Sequence, residues 1–200
     1  EKYVRPCVES IFKQGLDDAD FELIIVNDGS TDRSMEMIAD IIQQHNNITV
    51  INQENQGLSV ARNNGIAAAK GEYILMPDSD DLLIENSLLI LLNIALNTKA
   101  DLVVADFISI DVETTINIQT IHQNRLNIQE KTGHELLLED LNPNECYVWR
   151  TLFKKQFLTI NNIRNKPGIF FQDVPFTHEC YLKARKCIRA YWLLNIYRLG

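Results

Sequence analysis

The sequence predicts an α/β domain: a mixed, mostly parallel sheet flanked by helices, with an irregular C-terminal part. Three observations carry this. Four short apolar runs, at 21–26, 48–51, 73–76 and 102–105, are rich in β-branched residues and read as buried strands. The stretches between them place apolar residues at helical spacing. Polar residues then punctuate the strand ends, which is where open parallel sheets bind ligands.

Taken in order, Val4, Val8, Ile11 and Phe12 recur at helical spacing, so the chain opens on an amphipathic helix. The strand at 21–26 is broken by Asn27-Asp28-Gly29-Ser30. A helix follows with Met35, Ile38, Ala39 and Ile42 on one face, and Ser30 or Thr31 can cap its start. The strand at 48–51 leads to a helix marked by Leu58, Ala61, Gly65 and Ala68. The strand at 73–76 ends at Pro77, and a helix over about 85–97 follows. Its most apolar stretch, 87–96, is about half the length needed to cross a bilayer. Leu102-Val103-Val104-Ala105 is the fourth strand. Beyond Asp106 the rhythm fails: 111–131 is polar and reads as a hairpin or a mobile excursion, while 133–140, 154–160 and 174–186 read as helices.

Composition excludes several classes. A hydrophobic content of 46% and a charged content of 23% over 200 residues rule out wholesale disorder. A net charge of -8 argues against a general nucleic-acid binder, which needs a basic face. Cys7, Cys146, Cys180 and Cys187 form neither a CxxC pair nor a zinc spacing and read as reduced, buried thiols. On one helix Cys180 and Cys187 would fall two turns apart, too far for a disulfide. His45, His122, His134 and His178 show no metal spacing and read as structural or surface residues.

The chemistry lies in the punctuation. Asp78-Ser79-Asp80-Asp81 puts three carboxylates in four residues, which repel unless a cation or a ring of donors holds them. Oxygen ligands point to Mg²⁺ or Mn²⁺, and such an ion commonly bridges to substrate phosphates. The plainer reading is a solvated acidic turn before the next helix. Asp28 has the same two readings, a ligand acceptor or an Asx turn.

Three blocks resolve the choice. Val26-Asn27-Asp28-Gly29-Ser30-Thr31-Asp32, Asn55-Gln56-Gly57-Leu58-Ser59-Val60-Ala61-Arg62-Asn63, and Gly71-Glu72-Tyr73-Ile74-Leu75-Met76-Pro77-Asp78-Ser79-Asp80-Asp81 stand in this order. Together they resemble the blocks of family 2 glycosyltransferases, which have the GT-A fold. The resemblance is dense to about residue 110, with echoes at 148–153 and 170–176. It implies one catalytic domain over 1–200, with a nucleotide-sugar-binding half at 1–110 and an acceptor and base half at 111–200. It also implies a preceding strand and a C-terminal extension beyond the ends of this sequence.

The resemblance assigns roles. Asp28 would accept from the donor's nucleobase, and Arg62 would lie near the donor nucleotide. Asp78 and Ser79 would meet the donor, while Asp80, with Asp78, would hold Mn²⁺ or Mg²⁺. Asp173 would be the catalytic base; the acidic residue that usually precedes it in the family is here Gln172. Asp81 and Trp149 are acceptor candidates, although a Trp beside Leu152 and Phe153 more often packs in a core. Asn63 reads as ordering a loop.

The implied reaction is inverting, metal-dependent transfer of a hexosyl or N-acetylhexosaminyl group. It runs from a nucleoside diphosphate sugar, with uridine the usual base, to an acceptor hydroxyl. The acceptor would be a saccharide or lipid-linked saccharide in cell-surface polysaccharide or glycolipid synthesis. The setting would be cytoplasmic, with peripheral membrane association where the acceptor is lipid-linked. Two alternatives are a sugar nucleotidyltransferase-like phosphoryl-transfer enzyme and a catalytically idle nucleotide-sugar binder. The first usually shows a Gly-rich phosphate loop, and the second would bind donor without transfer.

Overall fold

The computed structural model describes residues 1–111, 125–140 and 146–199, with backbone alone for 139 and 140. Part of the expected hairpin or excursion at 111–131 therefore lies outside the described residues. The first half contains α1 (Val4–Ile11), β1 (Leu23–Asp28), α2 (Ala39–Gln44), β2 (Ile48–Gln53) and α3 (Leu58–Ala68). It continues with β3 (Tyr73–Ile74), β4 (Leu82–Leu83), α4 (Ser87–Thr98) and β5 (Leu102–Asp111). The second half adds β6 (Asn127–Lys131), α5 (Gly133–Glu135), β7 (Thr151–Lys154), α6 (Lys155–Ile160), α7 (Asp173–Lys183) and β8 (Cys187–Leu199).

Strands β1 and β2 form a parallel pair, with Leu23 opposite Ile48 and Asp28 opposite Gln53. The other six strands form one mixed sheet in the order β3-β7-β5-β8-β4, with β6 also on β8. The mixed α/β class stands, but the second sheet is more antiparallel than the strand–helix rhythm suggested. In it only β5 and β8 run parallel; β3 and β5 meet β7, and β4 and β6 meet β8, all antiparallel. The reason is that β7 and β8 come from the part of the chain read as irregular.

Alternation on the central strands separates two cores. Leu102, Val104 and Phe153 face Ile66, Phe157, Phe176 and Tyr181. Val103, Ala105, Leu152 and Ile188 face Leu91, Ala95 and Leu194. The period of two thus joins α3, α6 and α7 in one layer and α4 in the other. A third cluster packs Val8, Ile38 and Ile41 against Leu23 and Ile25 of β1.

Several expected elements differ. The second helix does not begin near Ser30; a 3₁₀ turn at Glu36–Ile38 precedes α2, so neither Ser30 nor Thr31 caps it. Asn27 Oδ1 accepts from the Ser30 N–H at 3.0 Å and Asp32 Oδ1 from the Ser34 N–H at 3.0 Å, turns that compete with helix. The third strand shrinks to two residues ahead of Met76-Pro77, a pair that limits backbone choice. Helix α5 opens on a Thr132–Glu135 capping box and passes into a π-helical turn at Leu136–Asp140. Helix α7 stops at Lys183, and Asp101 Oδ2 accepts from the N–H groups of Arg185 and Lys186 where β8 begins. Cys180 and Cys187 therefore lie on a helix and a strand. All four cysteines are buried.

No helix of the described residues is long and apolar enough to cross a membrane.

Candidate active site

Helix α3 organises the site. Asp28, the last residue of β1, reaches the loop that enters this helix. Its Oδ1 accepts from Gln53 Nε2 and from the Gln56 N–H, and its Oδ2 accepts from the Gly57 N–H, each at 2.8 Å. These bonds, the Gln56 N–H foremost, hold the carboxyl below the usual carboxylate range. Gly29, next in the chain, has φ +71° and lies so close to the loop that a Cβ would come within 2.9 Å of the Asn55 nitrogen. Only glycine lets the strand end turn this tightly against it.

One turn into α3, Arg62 is buried and its guanidinium joins two distant segments. Nη2 donates to Asp78 Oδ1 at 2.7 Å, and Nη1 donates to Asp173 Oδ1. Asp78 begins the acidic turn after β3, and Asp173 is the first residue of α7. Asp173 also accepts from Gln172 Nε2 at 3.1 Å and from the Val148 N–H at 3.5 Å. Burial pushes the Asp78 carboxyl up, and Arg62 pulls it back. The helix therefore brings together the first carboxylate of the D-x-D turn and the candidate base. Neighbouring α3 residues anchor the approach to α7. Asn63 Nδ2 donates to the Asn165 carbonyl at 2.8 Å, and Asn63 Oδ1 accepts the Asn165 N–H at 2.9 Å.

The rest of the acidic turn divides. Ser79 and Asp80 are exposed. Asp81 is 1% exposed, and its Oδ1 accepts the Arg198 N–H at 2.9 Å. Burial raises its pKa to about 6. The Arg198 guanidinium donates to the Asp80 carbonyl, so β8 holds the turn in place. Asp81 thus ties the turn to the sheet and offers no open face to an acceptor.

Trp149 is likewise interior, at 2% exposure. It stacks on Tyr147 at 4.8 Å and on Tyr197 at 5.2 Å, with Phe107 edge-on at 4.8 Å. This arrangement gives it the packing role. Tyr147 and Tyr197, which sequence reasoning missed, are the partly exposed rings of the stack. Nothing in the sequence marks the pair, because 49 intervening residues separate them and Tyr197 lies in a strand without alternation.

Among the described residues, no three His, Cys, Asp or Glu side chains gather as a ready metal cage. The donor set suits a hard divalent ion all the same. Asp78 and Asp80 are carboxylates with one residue between them, and Mg²⁺ or Mn²⁺ commonly takes one or two carboxylates and completes its shell with phosphate and water.

The chain is similar to known proteins. Residues 1–158 match the family model for glycosyl transferase family 2. The uncharacterised glycosyltransferase EpsJ of Bacillus subtilis is 33% identical over 99% of the chain and 58% of its own length. Glycosyltransferase GlyG of Streptococcus pneumoniae is 32% identical over 98% of the chain and 66% of its own length. The chain thus spans under two thirds of these relatives. The structure resembles that of Staphylococcus aureus TarS 1–349 in complex with UDP-GlcNAc. The TM-score is 0.84 at 20% identity, covering 100% of this chain and 56% of that one. That likeness shows a GT-A fold. The chain belongs to glycosyl transferase family 2.

Proposed function

We propose that this domain transfers a hexosyl or N-acetylhexosaminyl group from a UDP-sugar to an acceptor hydroxyl, with inversion, in the making of a cell-surface polysaccharide or glycolipid. The observation that carries the reading is Arg62 between Asp78 and Asp173, which puts a donor-side carboxylate and a candidate base in one site. The likeness to TarS, whose structure holds UDP-GlcNAc, supports a uridine nucleotide as donor.

The side chains divide the work by chemistry. Asp28 keeps lone-pair capacity on Oδ2 beyond its bond to Gly57, enough to accept from a nucleobase N–H. Asp78 and Ser79 meet the donor, and Asp80 with Asp78 would hold Mn²⁺ or Mg²⁺. When bound, the ion neutralises charge that develops on the departing diphosphate. Asp173, an acceptor-only carboxylate, takes the proton of the attacking hydroxyl. Gln172 beside it is an amide donor and adds no second negative charge. With one base and no second nucleophilic carboxylate assigned, direct displacement inverts the anomeric centre; the parallel with inverting hydrolases is one of stereochemical logic.

A thermal-shift panel of nucleotide sugars, with and without Mn²⁺, tests the reading. A donor at 100 times its Kd should add ~2.7 kcal/mol of stability, or roughly 5–10 °C in a chain of this size. The shift should need Mn²⁺ and weaken in Asp80→Ala. Asp173→Asn should keep the shift and lose UDP release in the presence of a membrane or polysaccharide extract that supplies acceptor. If no nucleotide sugar shifts the wild type, the reading fails; full transfer by Asp173→Asn would remove the base assignment.

A further inference from the structure

The chain between Asn165 and Asp173 leaves the site as a loop with both ends fixed to it. At the near end Asn63 holds the Asn165 backbone, and Ser59 Oγ donates to the Lys166 carbonyl at 2.9 Å. At the far end Asp173 pairs with Arg62, and the Val174 N–H donates to the Phe171 carbonyl at 3.0 Å. Between these anchors Ile169, Phe170 and Phe171 are 44%, 94% and 82% exposed. Two adjacent phenyl rings left in water are an unsatisfied apolar surface. Phe171 also has φ +53°, a left-handed conformation that bulky residues rarely adopt.

The charge around this tip differs from that of the chain. The sequence has a net charge of -8, yet the stretch 156–172 that carries the tip holds Arg164 and Lys166 and no Asp or Glu. Arg164 and Lys166 are exposed on the same loop. A pair of aromatic side chains beside cations matches the boundary between headgroups and acyl chains of an anionic bilayer. We infer that the loop 164–171 is a membrane-contact element. Phe170 and Phe171 enter the interface, Arg164 and Lys166 face anionic headgroups, and Asp173 lies next to the surface from which a lipid-linked acceptor would rise. This placement rests on the reading of Asp173 as the base; the lipid contact itself does not.

Flotation of the full-length protein with vesicles of phosphatidylcholine, alone or mixed with phosphatidylglycerol, tests the inference. Wild type should partition onto the mixed vesicles, and Arg164→Glu with Lys166→Glu should weaken this about 25-fold or more, since each cation near the surface contributes about fivefold. Phe170→Ser with Phe171→Ser should also lose partition, with an unchanged melting temperature because neither ring is packed. In Phe170→Trp, emission above the wild-type background should shift blue on the mixed vesicles. That readout is local to the loop, so another membrane-binding segment in the full chain cannot produce it. Absence of the blue shift, or partition unchanged in both double variants, overturns the inference. So does finding that the phenylalanine variant instead dissociates a dimer or weakens binding of a soluble saccharide. The nucleotide-sugar thermal shift is measured on the same variants. Its loss in wild type would sink the donor reading and leave the vesicle result standing.

Discussion

Arg62 donates one guanidinium nitrogen to Asp78 and the other to Asp173, two carboxylates from opposite halves of the chain. The Arg62 side chain is 7% exposed and the carboxylates 30% and 20%, so the three charges are partly desolvated. The fork geometry of arginine suits two acceptors at once, which a lysine ammonium matches poorly. Arg62→Ala leaves both carboxylates without their shared cation. It should cost about 1–3 kcal/mol, a fall in Tm of roughly 3–10 °C, and reduce transfer by two orders of magnitude or more. Arg62→Lys should recover most of the stability and only part of the activity. Calorimetry and UDP-release kinetics on the two variants check this, and wild-type activity in Arg62→Lys would remove the bidentate role.

Asp28 yields a pH prediction. Its folded pKa lies below the unfolded value because three donors, led by the Gln56 N–H, stabilise the charged form. Such a group stabilises the fold at pH above its unfolded pKa, about 3.9, and loses that contribution as pH falls through its folded pKa. Asp28→Asn puts a donor where Gly57 or Gln56 also donates, so it should melt lower than wild type at neutral pH. The gap should stay constant down to about pH 5, begin to narrow near the unfolded pKa of about 3.9, and close further as the folded carboxyl protonates below it. Melting curves from acid to neutral pH decide it; a gap independent of pH would show that the carboxylate charge contributes nothing.

The two halves of the molecule were unequally legible. Around α3 the local code and the structure agree, because the strand ends, the Gly57 entry and the helix depend on neighbours close in sequence. The partner of Arg62 was not readable, since Asp173 is 111 positions away and only the fold brings them together. Strand β8 was missed for a different reason. It lies between β5 on one edge and β6 and β4 on the other, so most of Cys187–Leu199 is shielded and lacks the polar alternation of a half-exposed strand. The same gap hid the Asp81–Arg198 bond, which turns a candidate acceptor residue into a clamp on the acidic turn.

The stack around Trp149 separates packing from ligand contact. Its ring packs against both Tyr147 and Tyr197, which also meet each other at 6.0 Å, and is closed off at 2% exposure. Trp149→Ala should destabilise by about 3–5 kcal/mol, the range for losing a large buried aromatic, while Trp149→Phe should cost less. Where Trp149→Phe remains folded, acceptor KM should match wild type. A raised acceptor KM with an unchanged Tm would return Trp149 to the acceptor site.

Gly133 and Gly65 are both helical glycines, yet alanine should act on them in opposite directions. At Gly65 in α3 the nearest atom to an added Cβ is Val26 Cγ2 at 3.6 Å, an ordinary contact. Gly65→Ala should therefore stabilise by about 0.5–1 kcal/mol through reduced freedom of the unfolded chain. At Gly133 the added Cβ would fall 1.9 Å from the Tyr181 carbonyl oxygen and 2.7 Å from its carbon. These are backbone atoms of α7 and cannot swing aside, so α5 and α7 must separate. Overpacking typically costs about 1–3 kcal/mol, and a backbone clash belongs at or above the top of that range. Because α7 begins at Asp173, displacing it also disturbs the carboxylate that Arg62 holds. Gly133→Ala should lower Tm by roughly 6–12 °C and reduce transfer more than donor binding. Melting curves for the two variants, with donor titrations, test this; a Gly133→Ala protein as stable and active as wild type would show that the α5–α7 approach does not set the position of the base.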